Sequence, residues 1–165
     1  MSAWELYLRN PNVDRFLIMQ DDFVTYQNLK AYLDTCELDN KSYYNLYTFP
    51  SNTRKRKGWN ATPQNGRGAV ALMFPNHILR KLLGCKKFID RPMNADRGWR
   101  SVDGGIVNSL REKGIREMCH TPSLVQHTGI RSSMGNNRQP LADSWLGEDY
   151  DALQLVVEES TEPVT

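Results

Sequence analysis

The chain lacks the long apolar run that a membrane-spanning helix requires. No segment of its 165 residues approaches the roughly 20 consecutive apolar residues that such a helix needs. The first ten residues also lack the basic start and the apolar stretch of a secretion signal. We therefore expect a cytoplasmic protein without a membrane span.

Cysteine is scarce. Cys36, Cys85 and Cys119 are odd in number and widely spaced, which excludes a disulfide framework and any CxxC metal or redox motif. We expect them to act as small hydrophobic residues. The chain also lacks a Walker sequence, zinc-ligand spacing and an aromatic-basic RNA motif. The basic run from Arg54 to Lys57 is therefore interpreted as a solvated loop, and nucleic acid is not an expected partner.

Charge of either sign is nearly balanced over the whole chain, with a net charge of +2, but it is strongly segregated. Residues 1–50 carry 4 basic and 7 acidic side chains (4 − 7 = −3). Residues 51–140 carry 17 and 5 (17 − 5 = +12), and residues 141–165 carry 0 and 7 (0 − 7 = −7). The middle of the chain is therefore suited to anionic partners, of which phosphate is the most common.

The pattern of apolar residues predicts one compact α/β domain. Continuous apolar runs at 16–19 and 69–74 are typical of strands buried on both faces of a parallel or mixed sheet. Helical spacing of apolar residues within 26–37, 78–83 and 101–114 predicts helices between such strands. The polar stretch from Pro50 to Gly68 has no periodicity and predicts a long functional or mobile loop.

The end of the chain differs in composition from the rest. Beyond Leu141 it is acidic and has few apolar residues. We therefore predict a domain over residues 1–140, followed by an acidic, weakly ordered tail over 141–165.

Two adjacent carboxylates, Asp21 and Asp22, follow the first predicted strand. Ligands of open α/β sheets bind beyond the carboxyl ends of strands, and carboxylates suit Mg²⁺ or Mn²⁺. The same Asp-Asp pair would also form an ordinary turn before the next helix. The residues alone leave both interpretations open.

His127 lies in a segment with few other structural signals. A neutral imidazole is a good ligand for Mn²⁺ beside carboxylates, and the Arg131-Ser132-Ser133 segment that follows could hold a phosphate. A single histidine is also common as an ordinary hydrogen-bonded residue. His77 and His120 have fewer such neighbours, and we interpret both as structural.

Asp103 precedes two glycines at the start of a predicted helix capped by Ser101. Gly104 and Gly105 would let a substrate approach closely, and the carboxylate could then accept a proton from an attacking hydroxyl. The alternative is an acidic first-turn residue that only interacts with the helix dipole.

Taken in order and spacing, four segments of the chain resemble a GT-A glycosyltransferase. They are DRFLIMQDDFV (14–24), GAVALMFP (68–75), SVDGG (101–105) and PSLVQHTG (122–129) with Ser132-Ser133. The last segment is the most specific. It is similar to the Pro-Ser-Leu-x-Gln-His-x-Gly-x-x-Ser-Ser ending of some GT-A enzymes, including the N-acetylglucosaminyltransferase IV group.

The resemblance implies a GT-A-like mixed sheet with flanking helices and a metal site. Gln20-Asp21-Asp22 would correspond to the Asp-x-Asp or Glu-Asp-Asp motif, with Gln20 standing where the family has an acid. Asp22 would bind Mn²⁺ (or Mg²⁺) directly, Asp21 would lie near the sugar or ribose, and His127 would complete the metal shell.

The resemblance also implies the reaction. Asp103 would be the catalytic base of an inverting enzyme, and Trp99 would lie beside the donor or acceptor sugar. The implied partners are a nucleotide sugar, with a UDP-sugar favoured, and a glycan or other hydroxyl acceptor. The alternatives are a noncatalytic module that holds an anion through its basic middle and a metal-dependent phosphoester hydrolase.

The resemblance extends over roughly residues 2–136. GT-A domains begin with βαβ units that bind the nucleotide base, and no residues before Asp21 correspond to them. We expect this half to come from a second chain or an upstream segment, or else nucleotide recognition to have been lost.

Overall fold

The computed structural model describes residues 3–64, 68–89, 102–128 and 140–156. Within these ranges the chain forms a mixed sheet with flanking helices, which confirms the predicted α/β class. The helices are α1 (Ala3–Arg9), α2 (Leu29–Thr35), α3 (Asn76–Leu83), α4 (Lys86–Ile89) and α5 (Val102–Arg111). The strands are β1 (Arg15–Met19), β2 (Phe23–Thr25), β3 (Ser42–Asn45), β4 (Gly58–Ala61), β5 (Ala71–Pro75), β6 (Arg116–Thr121) and β7 (Val125–His127).

Five strands form the main sheet in the order β1-β5-β3-β6-β4. Strand β5 is antiparallel to both β1 and β3, β3 is parallel to β6, and β4 is antiparallel to β6. The carboxyl ends of β1, β3 and β6 therefore share one edge with the amino ends of β5 and β4. Strands β2 and β7 form a separate antiparallel pair.

The main sheet is covered on both faces. Successive residues of a strand point to opposite faces, and Tyr43 and Tyr44 of β3 belong to different apolar clusters. Tyr43 packs with the buried face of α3 and α5, whereas Tyr44 packs with α2 and with residues from 140–156. The spacing of Leu29, Tyr32 and Leu33 explains why α2 buries one stripe of its surface.

Two local predictions differ from the structure. Strand β1 is at the edge of the described sheet, and Met19 at its end is exposed, because only β5 pairs with it there. The stretch from Pro50 to Gly68 contains strand β4 in addition to loop. The residues of this stretch are mostly polar, so the sequence does not predict this strand. In the structure Trp59 of β4 packs between Tyr44 and His120.

The predicted weakly ordered tail is packed over residues 140–156. Ala142, Ala152 and Leu155 are buried in the α2-side cluster. The Trp145 ring stacks on Tyr26 with centroids 4.2 Å apart and an interplanar angle of 4°. A few apolar residues are enough to hold this segment in place, because each one packs against a core that other parts of the chain have already formed.

His120 is structural, as predicted. It is fully buried, with Nδ1 at 2.6 Å from the Pro122 carbonyl oxygen and Nε2 at 2.7 Å from the Tyr32 hydroxyl. A carbonyl only accepts, so Nδ1 carries the proton and Nε2 accepts from Tyr32. The three cysteines are free thiols. Among the helices in the described ranges, none has the length and apolar character needed to cross a bilayer.

Candidate functional site

The pairing of two short strands brings Asp22 next to His127. Asp22 immediately precedes β2, and antiparallel pairing places Phe23 opposite His127 in β7. The pairing continues one residue further, because the Thr128 amide donates to the Asp22 carbonyl oxygen at 2.9 Å. The side chains also meet, with His127 Nε2 3.2 Å from Asp22 Oδ2.

The two side chains differ in exposure. His127 is only 4% exposed, whereas the Asp22 side chain is 40% exposed, so the pair opens to solvent on the aspartate side. Asp22 Oδ1 is itself buried and has no hydrogen-bond donor among the described residues. A buried carboxylate oxygen without a donor is unfavourable unless a cation or a donor approaches it.

The donor set fits a divalent cation. One carboxylate oxygen and one imidazole nitrogen suit Mn²⁺, which takes both types of ligand. No group of three or more His, Cys, Asp or Glu that would hold a metal occurs within the ranges the structure describes. A cation here would therefore take its remaining ligands from water and a bound phosphate, as such ions commonly do.

Gln20 and Asp21 are exposed at the end of β1, next to Asp22. The Gln20 amide donates to the Val70 carbonyl oxygen at 2.9 Å, which continues the pairing of β1 with the approach to β5. Residues 20–22 therefore lie at the sheet edge where β1 ends and β5 begins.

Asp103 reaches the same edge from α5. It lies in the first turn of that helix, and its Oδ2 accepts a hydrogen bond from the Ala69 amide at 3.2 Å. Burial raises the pKa of the Asp103 carboxyl, an effect that hydrogen bonds from the Ala69, Asp103 and Gly68 amides reduce. The structure therefore brings the predicted base to the segment that pairs with Gln20.

Gly68 lets the chain pass closely beside Tyr47. Its φ is +75°, and a Cβ atom added there would lie 2.5 Å from Tyr47 Cδ1. Only glycine adopts this backbone conformation readily and leaves room for the ring. The position of the Gly68 and Ala69 amides at Asp103 thus depends on the glycine.

The remaining predicted site residues have different outcomes. Gly104 and Gly105 are in the first turn of α5 and are half-buried. The other predicted positions lie outside the described residues: Trp99, Arg131, Ser132 and Ser133. Ser101, the predicted helix cap, also lies outside them.

Gln126 has a structural role that the sequence analysis did not assign. Its Oε1 accepts from the amides of His127 and Ala142, both at 3.0 Å, and its Nε2 donates to the Ala142 carbonyl oxygen at 3.2 Å. The side chain thereby ties the segment 140–156 to β7 beside His127. The sequence shows the Gln-His dipeptide, but it gives no sign that Gln126 contacts Ala142.

Tyr43 and Glu117 form a second group that the sequence analysis missed. Together with Asp103 they line a small cavity of about 10 Å³ between the sheet and α5. Glu117 is only 2% exposed, and its carboxylate accepts hydrogen bonds from Asn45 and Thr62. The signal that could have found this group is an acidic residue, Glu117, within a segment that forms a strand.

A larger open cavity of about 510 Å³ lies at the opposite edge of the sheet, beside the start of β1. Asp14, Arg15 and His77 are among its lining residues, and none of the predicted site residues line it. The predicted site and this cavity are therefore separate.

Comparison with known proteins gives no assignment. No family model, no curated protein and no solved structure matches this chain.

Proposed function

We propose that this chain is the metal- and acceptor-binding part of a divalent-metal-dependent, inverting glycosyltransferase with a GT-A-like fold. The observation that carries the proposal is the contact of 3.2 Å between Asp22 and His127, together with the buried Asp22 Oδ1 that has no donor among the described residues. The resemblance of residues 14–24 and 122–133 to GT-A enzymes predicts the same two residues at a Mn²⁺ site.

Asp22 and His127 are the residues that would hold the ion, either Mn²⁺ or Mg²⁺. When bound, such an ion stabilises the negative charge that grows on a leaving diphosphate. His127 is buried, so its ring is held in place beside Asp22. Asp21 and Gln20, exposed beside Asp22, are available to a bound sugar or ribose.

Asp103 is the proposed catalytic base. The O–H bond of an acceptor hydroxyl breaks as its oxygen attacks the sugar, and the proton passes to the Asp103 carboxylate. Burial makes this carboxyl hold a proton more tightly than an exposed aspartate does. The amides of Gly68 and Ala69 stabilise its ionised form, which is the form that accepts the proton.

The basic middle of the chain supports a partner that carries phosphate. Lys55, Arg56 and Lys57 are exposed before β4, whereas Arg54 donates to the carbonyl oxygens of Ser51 and Thr53. A UDP-sugar donor would use this positive charge together with the metal. A noncatalytic anion-binding module would use the charge alone.

Thermal unfolding with Mn²⁺, with UDP and with both together tests the proposal. We expect the two together to raise the Tm by more than the sum of their separate effects, because the diphosphate completes the metal shell. Ligand at 100 times its Kd stabilises the folded state by about 2.7 kcal/mol. Asp22→Asn should remove the joint effect, and Asp34→Asn, an exposed aspartate on α2, should keep it.

Three results would contradict the proposal. An equal joint shift in Asp22→Asn and wild type would place the metal elsewhere. A rise in Tm with UDP alone that disappears in high salt and is the same in Asp22→Asn and wild type would indicate the anion-binding module. Cleavage of a phosphodiester without any sugar acceptor would indicate the hydrolase.

A further inference from the structure

Strand β1 has one unpaired edge within the described part of the chain. The main sheet ends at β1, which pairs with β5 alone. In an antiparallel pair, alternate residues bond to the neighbouring strand, and the residues between them point their amides and carbonyls outward. The Gln20 amide bonds to the Val70 carbonyl oxygen, and the Asn76 amide bonds to the Asp14 carbonyl oxygen. These two bonds fix which residues of β1 face β5.

The residues of β1 that point their backbone groups outward are therefore Arg15, Leu17 and Met19. Their backbone N–H and C=O groups have no hydrogen-bond partner among the described residues. The Leu17 side chain is half-buried, and Met19 is 39% exposed. A row of unpaired backbone groups on an apolar strand is a template for pairing with another strand.

The opposite edge of the main sheet, strand β4, is protected against such pairing. Three exposed basic residues, Lys55, Arg56 and Lys57, precede it. Asn60 Nδ2 also donates to the carbonyl oxygens of Arg56 and Gly58, at 3.0 and 2.8 Å. Charged side chains are a common protection of sheet edges, and the apolar run 16–19 of β1 carries none. The two edges of the sheet therefore differ, and β1 is the one open to a further strand.

The sequence of β1 is complementary to itself when two copies run antiparallel. Outward-facing residues bond only with outward-facing residues, so pairing centred on Leu17 sets it opposite the partner's Leu17. Arg15 then bonds with the partner's Met19. Phe16 lies beside the partner's Ile18, an apolar pair on the face that α3 covers. This register uses all five residues of the strand.

The charges at the two ends of β1 fit the same arrangement. Arg15 is at the start of the strand, and the exposed Asp21 lies two residues beyond its last residue, Met19. Antiparallel pairing places Arg15 diagonally across from the partner's Asp21, a distance that long side chains reach. Parallel pairing in register would instead bring each charge next to its own copy. Charge complementarity therefore favours a second, antiparallel copy of this chain.

We propose that the outer edge of β1 binds the same edge of a second copy of this chain, so that two five-stranded sheets form one continuous sheet. The partner's Arg15 then lies beside Asp21, next to the pair formed by Asp22 and His127. The proposal is independent of the proposed function, because it concerns backbone pairing. A five-residue edge buries less than the roughly 1,600 Å² of a standard interface, so we expect a reversible dimer with a Kd of about 0.1 mM.

Sedimentation velocity of the whole chain without metal or nucleotide, from about 10 µM to about 1 mM, measures the dimer. Met19→Pro removes an outward-facing amide and leaves the bonds to β5 in place, so it should weaken the dimer at least tenfold. Met19→Leu keeps that amide and is the matched control, which should associate as the wild type does. Thermal unfolding of each variant checks that it is folded.

A charge exchange tests the identity of the partner. Arg15→Glu and Asp21→Lys should each weaken self-association, because like charges then meet across the edge. An equal mixture of the two variants should associate more strongly than either alone, because both contacts in the mixed dimer join opposite charges. Only a partner that is another copy of this chain gives that recovery.

Hydrogen exchange of the wild type decides the matter even if a variant fails to fold. By mass action at a Kd of about 0.1 mM, the amides of Leu17 and Met19 should exchange about fourfold more slowly at about 1 mM than at about 10 µM. The amides of Phe16 and Ile18 bond to β5 and should stay protected at both concentrations.

The proposal is overturned if the wild type remains a monomer at about 1 mM, or if Met19→Pro dimerises as the wild type does through another surface. It is also overturned if the amides of Leu17 and Met19 are protected equally at both concentrations in a monomer, since another segment of the same chain then covers the edge. A failure to bind Mn²⁺ and UDP would overturn the proposed function and leave the dimer unaffected.

Discussion

His127 Nε2 lies 3.2 Å from Asp22 Oδ2, although the two residues are far apart in the sequence. The contact follows from backbone pairing, because β2 and β7 align Phe23 with His127. The pairing of these two strands therefore positions both side chains. This arrangement favours a site that is largely formed before its ligand binds.

Gln126→Ala should weaken the attachment of the segment 140–156. The substitution leaves the buried Ala142 amide without its acceptor, which costs about 1–3 kcal/mol. Chemical denaturation of the wild type and the variant measures the loss. Gln126→Glu keeps an acceptor for the Ala142 amide but sets a carboxylate oxygen against the Ala142 carbonyl oxygen, so it should destabilise the fold as well. An unchanged free energy of unfolding in Gln126→Ala would show that the contact contributes nothing.

Gly68→Ala should destabilise the fold at the approach to β5. The new methyl group would meet the Tyr47 ring, and the positive φ adds backbone strain of about 1–3 kcal/mol. Gly114 has a positive φ of +69° but no atom within 4 Å of an added Cβ, so Gly114→Ala is the matched control for strain alone. Thermal unfolding of both variants compares them. Equal losses would show that the Tyr47 contact is unimportant.

Stability should fall as pH rises above about 4. The folded state raises the pKa of both Asp103 and Glu117, so it binds more protons than the unfolded chain once the unfolded carboxyls ionise near pH 4. Their stabilising contribution is complete below that pH and is lost as pH rises through the folded pKa values. Each unit of raised pKa corresponds to about 1.4 kcal/mol.

The double variant Asp103→Asn with Glu117→Gln should remove this part of the pH dependence. Urea unfolding between pH 4 and pH 8 measures it in both proteins. A slope of equal size in the double variant would mean that other groups cause it.

Patterns along the chain predicted the elements that bury a regular stripe. The periodicity of Ile78, Leu79, Leu82 and Leu83 predicts α3, and the apolar run at 69–74 predicts β5. Strand β4 was not predicted, because its residues have no apolar alternation and depend on Trp59 packing across the sheet.

The prediction of a weakly ordered tail was based on composition, and it differs from the structure over residues 140–156. The acidic character of the segment after 141 dominated the prediction, whereas its few apolar side chains fill sites beside Tyr26 and α2. Such sites are created by distant residues and leave no local pattern.

The candidate site could be predicted in part. The resemblance to GT-A enzymes predicts Asp22 and His127 together, and the structure brings them into contact. Neither Gln126 nor Glu117 was assigned a role, because each acts through partners far away in the sequence. Long-range hydrogen bonds of this kind depend on the fold and have no spacing to detect.

Direct titration of Mn²⁺ followed by electron paramagnetic resonance tests the central claim, that Asp22 and His127 hold a divalent cation. The free-ion signal falls as Mn²⁺ binds. We expect one site in the wild type and at least tenfold weaker binding in Asp22→Asn and in His127→Ala. The matched controls, Asp34→Asn and His77→Ala, should bind as the wild type does. Equal Mn²⁺ binding by the wild type, Asp22→Asn and His127→Ala would contradict the account.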